Sequence, residues 1–206
     1  MTWMYSYSVP EILILLCCVC CLKYLHVCQV EVQKRLFLAV SLISLSAASC
    51  VGIVRFGFGL QGAVNIQIIH TVLSESFTLI GLPFASLAVL VWVGNAKLDR
   101  FAYYVAPIIF IGSVLSRSIW MTEQLILIIG GFSIVVMIIT GLFGFVVRGR
   151  PSGAGLMLLS LGLIFNGPVV DPQSTIFGLE RWHISHIFLA IWVLSMTKIV
   201  CEERQI

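Results

Sequence analysis

Seven apolar runs, each about the length of a membrane crossing, follow one another along the chain near 10–28, 36–54, 66–93, 102–116, 124–147, 154–170 and 182–201. A helix needs about 20 mostly apolar residues to cross a hydrocarbon core of roughly 30 Å. Inside that core every backbone N–H and C=O must bond within its own segment, so each run is expected to be a helix. The 206 residues are 60% hydrophobic and 10% charged, against about 25% charged in an ordinary soluble domain. The expected fold is therefore all-α: a polytopic membrane protein of seven transmembrane helices, 1–206 forming a single transmembrane helical domain. Its immediate partner is the lipid bilayer.

Charge placement sets the expected orientation. Taking the N-terminus as outside and the C-terminus as cytoplasmic, the inner segments hold Lys23, Lys34, Arg35, Lys97, Arg100, Arg148, Arg150, Lys198 and Arg204, while the outer ones hold Arg55, Arg117 and Arg181. Lys and Arg concentrate on the cytoplasmic side of membrane proteins, so nine against three favours this sense. The formal charge of +3 belongs to that asymmetry, and no nucleic-acid footprint is visible. Met1–Pro10 lacks the basic residues of a secretory leader, so the first run is expected to stay as a helix. The expected location is a multi-pass position in a bacterial-type cell membrane.

The spans differ in character. Ser44, Ala48 and Gly52, four residues apart, form a small-residue stripe that admits a close neighbour. Gly141, Gly144, Gly155, Ser160 and Gly162 suggest further close contacts, and Pro83 is expected to bend the long third span. Cys17, Cys18, Cys20 and Cys21 fall inside the first run. No extracellular disulfide framework can be built from them, and they read as small apolar residues.

The residues capable of chemistry gather towards the outer side. Glu75 lies roughly 13 Å into the third span at 1.5 Å per residue, where a carboxylate must be paired, protonated or facing water. Ser74 and His70 adjoin it, and Arg55 and Arg117 are its nearest counter-charges. It reads either as one half of a packing pair or as a proton-handling or ligand-binding group. His183 and His186 open the last span at i, i+3, so both imidazoles can reach one metal ion, with His70 as a third ligand. Three His with an open position is a catalytic zinc arrangement. The same two His beside Trp182 and Trp192 also read as interfacial residues with wet ring tips. Asn166, Asp171, Glu180 and Arg181 stand close by in sequence, around the sixth-to-seventh connection.

At Arg-Trp-His-Ile-Ser-His-Ile-Phe (181–188), preceded by Gly-Leu-Ile-Phe-Asn (162–166), the chain resembles a family of uncharacterised bacterial seven-helix membrane proteins. More distantly it is similar to the membrane hydrolase superfamily of alkaline ceramidases and progestin/adiponectin-receptor-like proteins. That resemblance implies seven helices and a zinc held by three His. It matches His183 and His186 to the seventh-helix pair, spaced His-x-x-x-His there and His-x-x-His here, with His70, Ser74 and Glu75 standing for the remainder.

Two functions follow as expectations. One is a metal-dependent hydrolase of a lipid amide or ester, with zinc on His70, His183 and His186, Glu75 as general base and Ser74 beside it. The other is a non-enzymatic accessory subunit or small-ligand-binding protein, in which Glu75, Arg55, Arg117, Asp171 and the His residues form a packing network with a ligand or other membrane subunits.

Overall fold

The computed structural model describes residues 7–94, 96–118, 123–164, 175–176 and 179–201. The apolar runs become helices α1 (Ser8–Val27), α2 (Val32–Gly57), α3 (Val64–Ser76), α4 (Leu82–Trp92), α5 (Ala96–Ser118), α6 (Glu123–Val146), α7 (Pro151–Ile164) and α8 (Arg181–Cys201). A π-helical turn, Phe77–Gly81, joins α3 to α4 without a break in the helical path. A two-residue antiparallel ribbon, β1 (Thr175–Ile176) with β2 (Leu179–Glu180), leads directly into α8.

Among the described residues, five helical stretches are long and apolar enough to cross a membrane: Ser8–Val27, Val32–Gly57, Val64–Trp92, Ile126–Val146 and Arg181–Cys201. This is two fewer than the seven expected. Helix α5 opens with Lys97, Asp99 and Arg100. Of the sixth expected span, the described part is an apolar helix that runs to Ile164, and 165–170 lie outside the described residues.

Helix α4 is the centre of the bundle. It packs against α2, α5, α6 and α8, and every residue from Leu82 to Trp92 except Leu90 is buried. A helix that is apolar all round belongs in a core. Around it, α1 lies between α2 and α8, α6 pairs with α7, and α7 touches α8. The outward faces carry Leu16, Ile43, Phe132, Ile139, Leu158 and Leu194, all exposed. Apolar surface of that extent is unusual on a soluble monomer and ordinary on one bathed in lipid.

Close approach depends on small residues. A Cβ on Gly52 would lie 2.6 Å from the Glu11 carboxyl, and one on Gly144 would meet the Trp92 ring at 2.8 Å. Helices α6 and α7 approach backbone to backbone: a Cβ on Gly141 would stand 2.8 Å from the Gly153 carbonyl oxygen. The space at Gly162 is taken by Phe188 of α8, whereas Gly155 has nothing within 4 Å. Pro83 falls in the first turn of α4, just after the π turn. It lacks an N–H and its ring crowds the carbonyl four residues earlier, and the wider upstream turn accommodates both.

Candidate functional site

The antiparallel run of α1, α2 and α3 brings the start of α1, the end of α2 and the start of α3 to one end of the bundle, and α8 begins there too. Each supplies a polar side chain to one buried cluster. Its centre is Glu11, in the first turn of α1, where the exposed N–H groups of a helix favour a carboxylate. The residue is 3% exposed. Ser49, also buried, turns its hydroxyl towards the carboxylate, and Gly52 leaves the room in which it sits.

Two imidazoles face Glu11. Its Oε1 lies 3.7 Å from His70 Nε2 and 3.5 Å from His186 Nε2. These are ion-pair separations, longer than the 2.7–3.2 Å of a direct hydrogen bond. The other nitrogen of each ring fixes where its proton stands. Arg55 Nη1 lies 3.2 Å from His70 Nδ1. A guanidinium can only donate, so His70 Nδ1 accepts and Nε2 carries the hydrogen that points at Glu11. His186 Nδ1 lies 2.8 Å from the Trp182 carbonyl oxygen, which can only accept, so Nδ1 carries the hydrogen. His186 Nε2 then faces a carboxylate oxygen. One proton placed between them, on either partner, turns that approach from two lone pairs into an attraction.

An aromatic cap covers this arrangement. Trp182 stacks on His186 with centroids 3.8 Å apart and meets Phe56 edge-on at 5.5 Å. Tyr7 stacks on His183 at 4.9 Å and donates its hydroxyl to Glu180 Oε2, while His183 Nδ1 stands 3.9 Å from the same carboxylate oxygen. The Tyr7 phenol is pushed above its ordinary value, first by that hydrogen bond, then by burial and by the Glu180 charge.

The structure thus brings His70, His186 and Arg55 together and sends His183 to a neighbouring group. Glu75 is half-buried and partnered. It lies five residues beyond His70, about 140° round the helix at 3.6 residues per turn, so the two do not share a face. Ser74 shares the His70 face at i, i+4, is half-buried, and has its carbonyl within 3.4 Å of Thr78 Oγ1. Arg117 and Glu123 are placed by backbone alone, at the end of α5 and the start of α6, and Asn166 and Asp171 lie outside the described residues. Glu11 itself escapes a reading of the sequence. Beside Pro10 at the edge of an apolar run, it looks like a residue at the water boundary, and only the packing of α1 between α2 and α8 buries it.

Among the described residues, no group of three His, Cys, Asp or Glu is placed to hold a metal ion. Hydrogen-bond direction agrees for His70: a neutral imidazole that accepts from Arg55 at Nδ1 has no lone pair left at Nε2 for a metal. The fold and cluster define a class: a multi-pass helical membrane protein with a buried carboxylate–imidazole–guanidinium network at one end. No protein-family model matches the chain, and searches of curated proteins and of solved structures return no match.

Proposed function

We propose that this chain is a non-enzymatic membrane protein, an accessory subunit or small-ligand binder, in which Glu11, His70, His186 and Arg55 form a charge-compensated network tying α1, α2, α3 and α8 together. In this reading it crosses the bilayer seven times, α5 and α7 included, with the N-terminus outside a bacterial-type cell membrane. The nine-to-three distribution of Lys and Arg supports that sense. The observation that carries the proposal is the Glu11 carboxylate, its side chain 4% exposed, held between two imidazoles whose outer nitrogens are already engaged.

A zinc-dependent hydrolase of lipid amides or esters, as the resemblance implies, is the second reading. One observation favours it: the separations of 3.5 and 3.7 Å from Glu11 to His186 and His70 approach the roughly 3.3 Å between ligands on a tetrahedral zinc with bonds of about 2.0–2.1 Å. It needs Arg55 to leave His70 Nδ1, and it replaces His183 by Glu11 in the ligand set.

Metal analysis and thermal melting of the detergent-purified protein, beside Glu11→Gln, His183→Ala and His186→Ala, separate the two. The network reading expects no stoichiometric metal, and melting lowered more by Glu11→Gln and His186→Ala than by His183→Ala. About one equivalent of zinc in the wild type, lost in His186→Ala and kept in His183→Ala, would put the hydrolase first.

A further inference from the structure

At the opposite end of the bundle from Glu11, α5 leans on α4 and leaves a groove against the start of α2. It is an apolar trough of about 620 Å³, floored by Phe37, Phe84 and Ala106 and walled by Leu36, Tyr104 and Phe110. Where α2 and α5 begin, Gln33 Nε2 donates to the Asp99 carbonyl oxygen at 3.1 Å, joining the two helices beside the trough. Arg100, Tyr103, Tyr104 and Pro107 share one face of α5 at i, i+3, i+4 and i+7, so an exposed guanidinium stands at the same end of the trough. Tyr103 and Tyr104 are 66% and 67% exposed, and Tyr is enriched where a membrane protein meets the headgroup layer.

Length and charge say what fits. From Arg100 to Phe110 the helix rises roughly 15 Å, about half of a hydrocarbon core of roughly 30 Å, so the trough is one leaflet deep. The starts of α2 and α5, which flank the trough, carry four bases, Lys34, Arg35, Lys97 and Arg100, against two acids, Glu31 and Asp99. Lys34 is taken by Glu31 at 3.5 Å, and Arg35 by the carbonyls of Cys28 and Val30. Asp99 is half-buried and partnered.

We propose that this groove holds one acyl chain of an anionic membrane phospholipid, with Arg100 bound to its phosphate. Basic side chains near the headgroup layer attract anionic lipids, and the trough turns that attraction into a defined seat. The inference rests on the membrane reading above, α5 included, but not on the Glu11 network.

The test is native mass spectrometry and thermal melting of the full chain in detergent, with phosphatidylglycerol or phosphatidylcholine of identical chains added. The wild type should retain about one phosphatidylglycerol in preference to phosphatidylcholine and melt higher with it. Arg100→Gln should bind phosphatidylglycerol roughly tenfold or more weakly, the loss of one charge-assisted contact. Leu36→Trp, at a position 57% exposed, should fill the trough and abolish uptake. Leu158→Trp, on α7 and 63% exposed, should bind as the wild type does. A wild type without preference, an unchanged preference in Arg100→Gln, or undiminished uptake in Leu36→Trp would each overturn the proposal. Recovery of the chain in the aqueous fraction without detergent would instead sink the membrane reading.

Discussion

Glu11 shows how a single carboxylate can be made tolerable inside a bundle: a helix start, a serine hydroxyl, two imidazoles and a glycine that stands aside. Removing one partner of a buried charge pair costs about 3–5 kcal/mol, so Glu11→Ala should lower stability by that order, read as a drop in melting temperature. Gly52→Ala keeps every charge but drives a Cβ to within 2.6 Å of the carboxyl. It should cost about 1–3 kcal/mol through overpacking, while Gly155→Ala, with open space around it, should melt with the wild type. Tyr7 gives a pH signature. The fold holds its neutral phenol through Glu180, so its pKa rises above 10.0. That contribution is whole below pH about 10 and is lost as pH climbs through the raised value. Tyr7→Phe should therefore show less alkaline loss of melting temperature than the wild type above pH 10. At this scale the sequence was half legible. His70, Arg55 and His186 announce themselves as polar groups next to apolar runs, but their common partner does not, because a lone acid at the first turn of a helix looks the same whether it faces water or another helix.

At the scale of elements the sequence speaks more clearly, because lipid leaves the backbone so few choices. Each of the seven apolar runs meets a helix, the sixth over its described part to Ile164, and the long third one passes through a π turn next to Pro83. The small-residue stripe of α2 meets α1 at Gly52, and Ser44 fills the space beside Gly81. Which glycines matter is less legible. Gly141 and Gly144 are seats for α7 and Trp92, but Gly153, their counterpart, carries no pattern that sets it apart from Gly155, where nothing approaches. Gly153→Ala would put a Cβ 2.4 Å from the Gly141 carbonyl oxygen. Backbone cannot fold away as a side chain can, so it should separate α6 from α7 at a cost of about 1–3 kcal/mol, seen as earlier proteolysis of the α6–α7 hairpin and a lower melting temperature.

For the molecule as a whole, the seven-span reading makes a prediction that five spans do not. In a variant lacking native cysteines, Lys97→Cys and Arg148→Cys should react with an impermeant thiol reagent only from the cytoplasmic side, and Met121→Cys only from outside. With α5 on the surface and α6 crossing alone, Met121→Cys would instead react from the same side as Lys97→Cys, and Arg148→Cys from the other. Hydrophobic periodicity could not decide this, because α4, α6 and α8 are apolar nearly all round and carry no directional stripe to say which face turns inward. The site inherits the same difficulty, since its members come from four helices far apart in the chain. Glu11 and His186 stand on the two helices that pack side by side from opposite ends of the described fold, so their approach exists only once α8 lies against α1. An intermediate with α1, α2 and α3 in place but α8 still apart holds the carboxylate with His70 as its one imidazole. The docking of α8 therefore both completes the charge balance and lowers the Trp182 lid over it.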